Sequence, residues 1–529
     1  MATLKTALGE FTGKAGDEII QYLGIKYASV KDQLSNPELV TSYETQVIDA
    51  SSFGPQAPAM NSCEFEQIVL IQQHLGVPVS PPMSGTECLN LNITVPKIDT
   101  STAGNEKLPV MVFIHGGGFI MGSNYWPHYD PSQLVKFSVE LGMPVIAVNI
   151  NYRLGILGNL TSSRLREAGY SGNNSLRDQK CALHWIKAHI SHFGGDPENV
   201  TLFGESAGAA AALYQLFSKE ALFKRVISMS GTPIMLKPVP PSVAETSYDM
   251  IMRALGLENA SVEERIKHLT TISPEELVAK TPMSVPLKPF VDGDIVPTTI
   301  SFKMLAEGER ELDDVMHGRE WCEELMIGDC QHDGTVYFFM GLAERKAGIA
   351  STIYISLAKN MGAASAQAVL EAYNIMSTTS DDEAMKAILE LANDLAYYAP
   401  AVKFAKSFPG KSYYYHFNEL NPWDGAFNGC ATHLLDAAFL FQNFSDMLDG
   451  RQRKVGRDMG EAFLRFVNGI KPWKILKGQD VYDGVKAFGV GDAKLGASGR
   501  RDVLFKLEQE GKIELDALSM AWDMFVAGK

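Results

Sequence analysis

Apolar runs without polar alternation recur through the middle of the chain, at residues 108–114 (LPVMVFI), 144–150, 200–203 and 225–229. A shorter run follows at 325–328, and the last clear one is 413–417 (YYYHF). Unbroken runs of strand length fit strands buried on both faces of a parallel sheet. Helical spacing occupies the intervals: residues 176–193, the alanine-rich stretch after Ser206, 238 to about 314, 343–408, roughly 437–448 and 458–468. Ser261 with Glu264, Ser273 with Pro274 and Glu276, and Ser380 with Glu383 mark helix starts. Alternating buried strand and helix predicts an α/β fold with a central, mainly parallel sheet flanked by helices. The first hundred residues read differently. Residues 19–27 and 89–95 are strand-like, and 52–85 is a long proline-rich connection.

There are no repeats, low-complexity segments or linkers, so residues 1–529 read as one catalytic domain. Its helical insertions, approximately 238–320 and 343–408, are expected to cover the site. The net charge of −15 argues against nucleic acid as a partner. No apolar run reaches the ~18 residues of a membrane span. The N-terminal stretch has no apolar signal region, which predicts an intracellular protein if Met1 is the native start, and a secreted one if a signal peptide was removed. The six cysteines are dispersed and form no metal-type pair. The N-x-S/T matches at Asn92, Asn159, Asn173, Asn199, Asn259 and Asn443 are read as chance.

Within this frame one stretch carries chemistry. Residues 200–213, VTLFGESAGAAAAL, give strand, G-x-S-x-G turn and helix in succession. That is the context of a nucleophile elbow, in which small residues flank a serine thrust up at a helix N-terminus. Ser206 is the candidate nucleophile. A serine hydroxyl needs a base, the base needs an orienting acid, and the oxyanion needs preorganised donors. The H-G-G-G-F loop at His115 follows a buried strand and supplies Gly117 and Gly118, with Ala207 as third donor. Of the histidines after Ser206, His268 reads as solvated and His416 as packed in a strand. His433 lies in a loop between the last clear strand and a helix, where a base reaches back over the sheet. For the acid, pattern leaves Asp333 and Asp329 nearly equal.

Together these residues resemble the type-B carboxylesterase and cholinesterase family of α/β hydrolases, with a style similar to fungal members. The resemblance rests on GIKYA at Gly24, GTECLNLNI at Gly85, NYRLG at Asn151, LRDQ at Leu176, FGGDPENVTLFGESAG at Phe193 and FVDGDIVP at Phe290. HYDP at His128 and NPW at Asn421 carry the fungal likeness. It implies the α/β-hydrolase fold with Ser206 as nucleophile, Asp333 as acid and His433 as base. It also implies Gly117, Gly118 and Ala207 as the oxyanion hole, Glu205 and Ser230 as secondary polar residues, and a Cys63–Cys88 disulfide. The acid is aspartate where most relatives carry glutamate. The 63–88 loop has no tryptophan, so the choline-binding aromatic of cholinesterases is missing.

The expected activity is hydrolysis of small to medium apolar carboxylic esters through an acyl-enzyme, with a small-molecule ester as partner and no metal or organic cofactor. Two rivals use the same sequence. A transacylase or cyclase would pass the acyl group to another nucleophile, and a catalytically inactive cholinesterase-like binding module would bind a partner. Oligomeric state is not legible.

Overall fold

The computed structural model describes residues 1–60, 62–98, 106–307, 309–476, 483–490 and 501–529. The first strands are β1 (Ala2–Thr6), β2 (Gly9–Ala15) and β3 (Ile19–Lys26). A small ribbon, β4 (Ala28–Ser29) with β5 (Glu38–Leu39), stands apart from the main sheet. The remaining strands are β6 (Val47–Ala50), β7 (Asn90–Pro96), β8 (Leu108–Ile114), β9 (Ile146–Ile150), β10 (Gly195–Glu205), β11 (Arg225–Met229), β12 (Glu324–Cys330), β13 (Lys411–Asn418) and β14 (Val485–Gly489). The main sheet runs β1-β2-β3-β7-β9-β8-β10-β11-β12-β13-β14, with β6 beside β2. Along this order every pairing from β9 to β14 is parallel and those from β1 to β9 are antiparallel, while β6 pairs parallel with β2.

The unbroken apolar runs have their reason in the two faces of this sheet. Val110, Val112, Ile114, Leu202, Val226, Leu325 and Ile327 join one hydrophobic cluster, which holds Trp185 and the helix Ala207–Tyr214. Met111, Phe113, Phe203, Ile227, Met229 and Met326 join another, with Phe441 and Phe463. Alternate side chains point to opposite faces, and both faces are covered, so residues 110–114, 200–205 and 225–229 are all buried.

Pattern missed β1, β2 and β14. The half-exposed β1 and the terminal β14 lie at the sheet's edges, and β2 beside β1 is only partly buried, so little burial is demanded of the sequence there. Tyr413 to Phe417 is therefore not the last strand. The capping serines stand as read: Ser261 and Ser380 each form a capping box, and Ser273 accepts the amide of Glu276. The helix expected from residue 458 begins earlier, at Gly450, because Asp449 and Gln452 form a capping box that the apolar spacing does not mark.

Three quoted motifs form two clamps. Arg153 of NYRLG and Asp178 of LRDQ form a fully buried ion pair, with Nη2 2.7 Å from Oδ1. Arg177 reaches Asp294 at 2.8 Å in FVDGDIVP, and Asn173 holds the Phe290 amide and carbonyl. Asn92, Asn159 and Asn173 are buried, leaving no room for a glycan.

The Cys63–Cys88 disulfide is not formed. All six cysteines are free thiols, and Cys63 and Cys88 sit in different hydrophobic clusters. Burial raises each thiol to about 12, so both are inert packing groups.

Candidate active site

Parallel strands deliver their C-terminal ends to one edge of the sheet, where ligands bind in open α/β folds. Here β10 ends at Glu205, β8 leads into His115–Gly118, β12 leads into Asp333, and the chain after β13 returns with His433.

Ser206 has φ 55° and ψ −120°, a conformation no strand or helix uses. Its amide donates to the Met229 carbonyl at 2.9 Å, and its carbonyl accepts from Ala210. The turn survives only because its neighbours lack side chains. A Cβ on Gly204 would lie 2.3 Å from the Gly208 carbonyl, and one on Gly208 would lie 2.0 Å from the Ile114 carbonyl oxygen. Two further glycines, unmarked by the motif, are equally constrained. A Cβ on Gly231 would meet the Ser206 carbonyl oxygen at 2.0 Å, and one on Gly116 would meet Glu205 Oε2 at 2.6 Å. Strained backbone of this kind concentrates at functional sites.

Gly117 (φ 92°) and Gly118 (φ 64°) bend the loop after β8. The Gly117 carbonyl takes the amides of Ile120 and Met121, while the amides of Gly117 and Gly118 have no partner among the described residues. His115 is locked beneath them. Its ring stacks on Tyr152 at 4.5 Å, and the Tyr152 hydroxyl donates to its carbonyl. Burial lowers His115 to about 4, so it stays neutral.

Asp333 and His433, a hundred residues apart, form a hydrogen bond with His433 Nδ1 2.7 Å from Asp333 Oδ1. Asp333 Oδ2 accepts the Cys330 amide at 2.7 Å. Both side chains are buried. The two loops are stitched by their backbones, since the His332 amide donates to the Ala431 carbonyl at 2.9 Å. Burial raises the Asp333 carboxyl, and the His433 hydrogen bond opposes that rise. Asp329 is committed elsewhere. It accepts from Tyr414 and from Arg501 at 2.8 Å, and His416 lies at 3.1 Å. Burial would raise Asp329, but Arg501 and His416 outweigh it and hold the carboxyl at about 2.

The free ring nitrogen of His433, Nε2, lies 3.2 Å from Glu205 Oε1, the residue before Ser206. The contact makes no hydrogen bond, and Oε1 has no other hydrogen-bond partner among the described residues. Glu205 is raised well above the usual carboxyl range, by burial first and then by Glu66, Asp436 and Asp333. Asp436 is raised to about 6 by burial and Asp333, while accepting from Tyr415 at 2.8 Å. Glu66 is tied to His128 Nε2 at 2.9 Å and to the Tyr129 hydroxyl at 2.8 Å. Ser230 (φ 49°) caps β11 and its hydroxyl faces Cys330 Sγ at 3.9 Å.

Serine, imidazole–carboxylate pair and unpaired loop amides therefore meet at one edge. Asp436 and Glu66 were not singled out from pattern. Asp436 stands three residues after His433 in a buried, apolar run, which was the available signal. Glu66 had none, because its partners come from a loop some sixty residues away. Among the described residues no cluster of His, Cys, Asp and Glu could hold a metal ion, and no helix is long and apolar enough to cross a membrane.

Residues 1–486 match the sequence profile of the carboxylesterase family. The chain belongs to the carboxylesterase family. Lipase 3 of Yarrowia lipolytica is 29% identical over 468 residues, covering 86% of this chain and 85% of the lipase. The para-nitrobenzyl esterase of Bacillus subtilis is 29% identical over 465 residues, covering 85% and 83%. A solved PNB esterase structure superposes with a TM-score of 0.71 over 95% of this chain and 99% of that one. At 24% identity this last likeness speaks for the α/β-hydrolase fold alone. Membership of this family, with its esterase and lipase relatives, supports an ester-cleaving hydrolase on the mainly parallel sheet expected.

Proposed function

We propose that this carboxylesterase-family protein cleaves small to medium apolar esters by a two-step acyl-enzyme mechanism with Ser206 as nucleophile. The observation that carries this reading is the His433–Asp333 hydrogen bond beside the elbow serine. Asp333 accepts from Nδ1, which leaves Nε2 as the basic nitrogen. Nε2 lies beside Glu205, the residue before Ser206, and the serine–imidazole contact is often long before substrate binds. His433 then takes the serine proton as Oγ attacks the carbonyl. The Gly117, Gly118 and Ala207 amides stabilise the oxyanion, each donor being worth ~10²–10³ in rate. His433 protonates the departing alcohol and afterwards activates water, which releases the acid.

The substrate range is supported by a cavity of about 90 Å³ just beyond the oxyanion loop, lined by Ile120, Met121, Ile156, Leu277, Val278 and Leu287. An apolar cavity of ~150 Å³ takes benzene, so this smaller one suits a short aliphatic chain.

The test is hydrolysis of a p-nitrophenyl series, acetate to palmitate, by wild type and Ser206→Ala, with phosphonate labelling of Ser206 alongside. Turnover with a short-chain optimum, lost by several orders of magnitude in Ser206→Ala, supports the reading. Labelling without turnover on any ester points to acyl transfer to a different acceptor. Neither labelling nor turnover removes the catalytic reading.

A further inference from the structure

Residues 343–408 read from pattern as ordinary helix, yet one turn in that segment is not. The helix Asp381–Ala392 runs into a widened turn at Asn393–Tyr398, bonded i to i+5, before Ala399–Ser407 continues. Widened turns of this kind are rare and gather at functional sites, because the extra residue re-aims a side chain. This one is docked on the acid loop. Asn393 Oδ1 accepts the Gly334 amide at 3.2 Å. Gly334 permits the approach, since a Cβ there would lie 2.1 Å from the Leu389 carbonyl oxygen.

The widened turn carries Tyr397. Its ring centroid lies 5.4 Å from that of His433, tilted 57°, and 6.4 Å from that of Tyr337. Neighbouring tyrosines use their hydroxyls inside the protein: Tyr398 donates to Asp502, Tyr414 to Asp329, Tyr415 to Asp436 and Tyr129 to Glu66. The Tyr397 hydroxyl has no such partner among the described residues. Nor is it sealed in the core, as the unpaired hydroxyl of Tyr248 is. Burial, with Tyr337, Asp333 and Glu205 around it, keeps its proton on. A buried ring that packs beside the base of the site and ends in an unpaired, protonated donor is placed to serve something that enters from outside.

We propose that the Tyr397 hydroxyl is a substrate-binding donor of this site, giving a hydrogen bond to an oxygen acceptor close to the scissile carbonyl. The favoured substrates are then short apolar esters carrying an ether, keto or hydroxyl oxygen next to the ester carbon. This rests on the Ser206–His433 reading above and adds a substrate preference to it.

The experiment compares p-nitrophenyl methoxyacetate with p-nitrophenyl butyrate, which has the same shape but CH₂ in place of the ether oxygen. The ratio of their kcat/KM values is measured for wild type, Tyr397→Phe and Tyr398→Phe, so that intrinsic reactivity cancels. Tyr397→Phe is expected to lower the ratio about fivefold, the scale of one neutral hydrogen bond, and Tyr398→Phe to leave it unchanged. An unchanged ratio in Tyr397→Phe, whether both rates hold or both fall, assigns the hydroxyl to packing and overturns the proposal. If Tyr397→Phe does not fold, wild type alone decides. Ser206 labelling by a methoxymethyl phosphonate should outpace labelling by its propyl isostere after correction for their hydrolysis rates, and equal rates overturn the proposal. Wild-type turnover of neither ester would remove the esterase reading and this inference with it, an outcome distinct from turnover with an unchanged ratio.

Discussion

His433 Nδ1 and Asp333 Oδ1 lie 2.7 Å apart, and the other Asp333 oxygen is held by the Cys330 amide. The carboxylate is therefore fixed from both sides and cannot rotate away from the imidazole. Asp333→Asn keeps the shape but can present its NH₂ to Nδ1, which favours the wrong tautomer. The expected kcat on p-nitrophenyl butyrate falls about 10⁴-fold, with the melting temperature nearly unchanged. A loss below tenfold would remove Asp333 from the orienting role.

Gly231 supports the elbow from outside the G-x-S-x-G motif. Its Cβ would meet the Ser206 carbonyl oxygen at 2.0 Å, so Gly231→Ala must push Ser206 aside. A displacement of ~1 Å is enough for a 10²-fold loss in kcat/KM. Gly450→Ala is the control, because an added Cβ there meets nothing within 4 Å. Equal activity of both variants would mean that the elbow adapts.

Asp436 links the site to pH. Its folded carboxyl sits at about 6, against ~3.9 in an unfolded chain. Between those values the folded state holds the proton and the unfolded state does not. The group's contribution to stability therefore falls as pH rises through the window, and its cost is fully present above it. The stability of wild type relative to Asp436→Asn should drop by up to about 3 kcal/mol from pH 4 to pH 7. Urea unfolding at several pH values measures this, and a pH-independent difference would discount the charge.

Asp329 is wholly buried and its charge is balanced by Arg501 at 2.8 Å. Arg501→Met leaves that carboxylate short of its cation and should cost about 3–5 kcal/mol. Asp329→Asn in the same chain should recover most of the loss. Denaturant midpoints at constant slope are the readout, and no recovery in the double variant would show that the packing of Arg501 matters more than its charge.

Val278 lines the apolar cavity beside the loop after β8. Val278→Trp should fill it and lower the butyrate-to-acetate ratio of kcat/KM about tenfold, within the range that pocket methylenes command. An unchanged ratio would place the acyl chain elsewhere.

Much of this site could be read from residues near each other in the chain. The elbow was legible because a strand, two glycines and a helix are local features, each obeying local rules. The parallel core was legible because burial on both faces leaves no polar alternation in 108–114 or 225–229. The proposed acid was not, since Asp329 and Asp333 both stand just past the apolar run 325–328 and both look like loop or turn aspartates in the sequence. The family likeness favoured Asp333, but only the fold brings Arg501 and His416 to Asp329 and His433 to Asp333. The same holds for the free Cys63 and Cys88, the support at Gly231 and the place of Tyr397. The sequence by itself thus determined the sheet, the elbow and the kind of chemistry, because those are set by short-range sterics and hydrophobic period. The tertiary structure decided which distant side chains meet, because hydrogen bonds and ion pairs act over a few ångströms in space and leave no periodic trace in the chain.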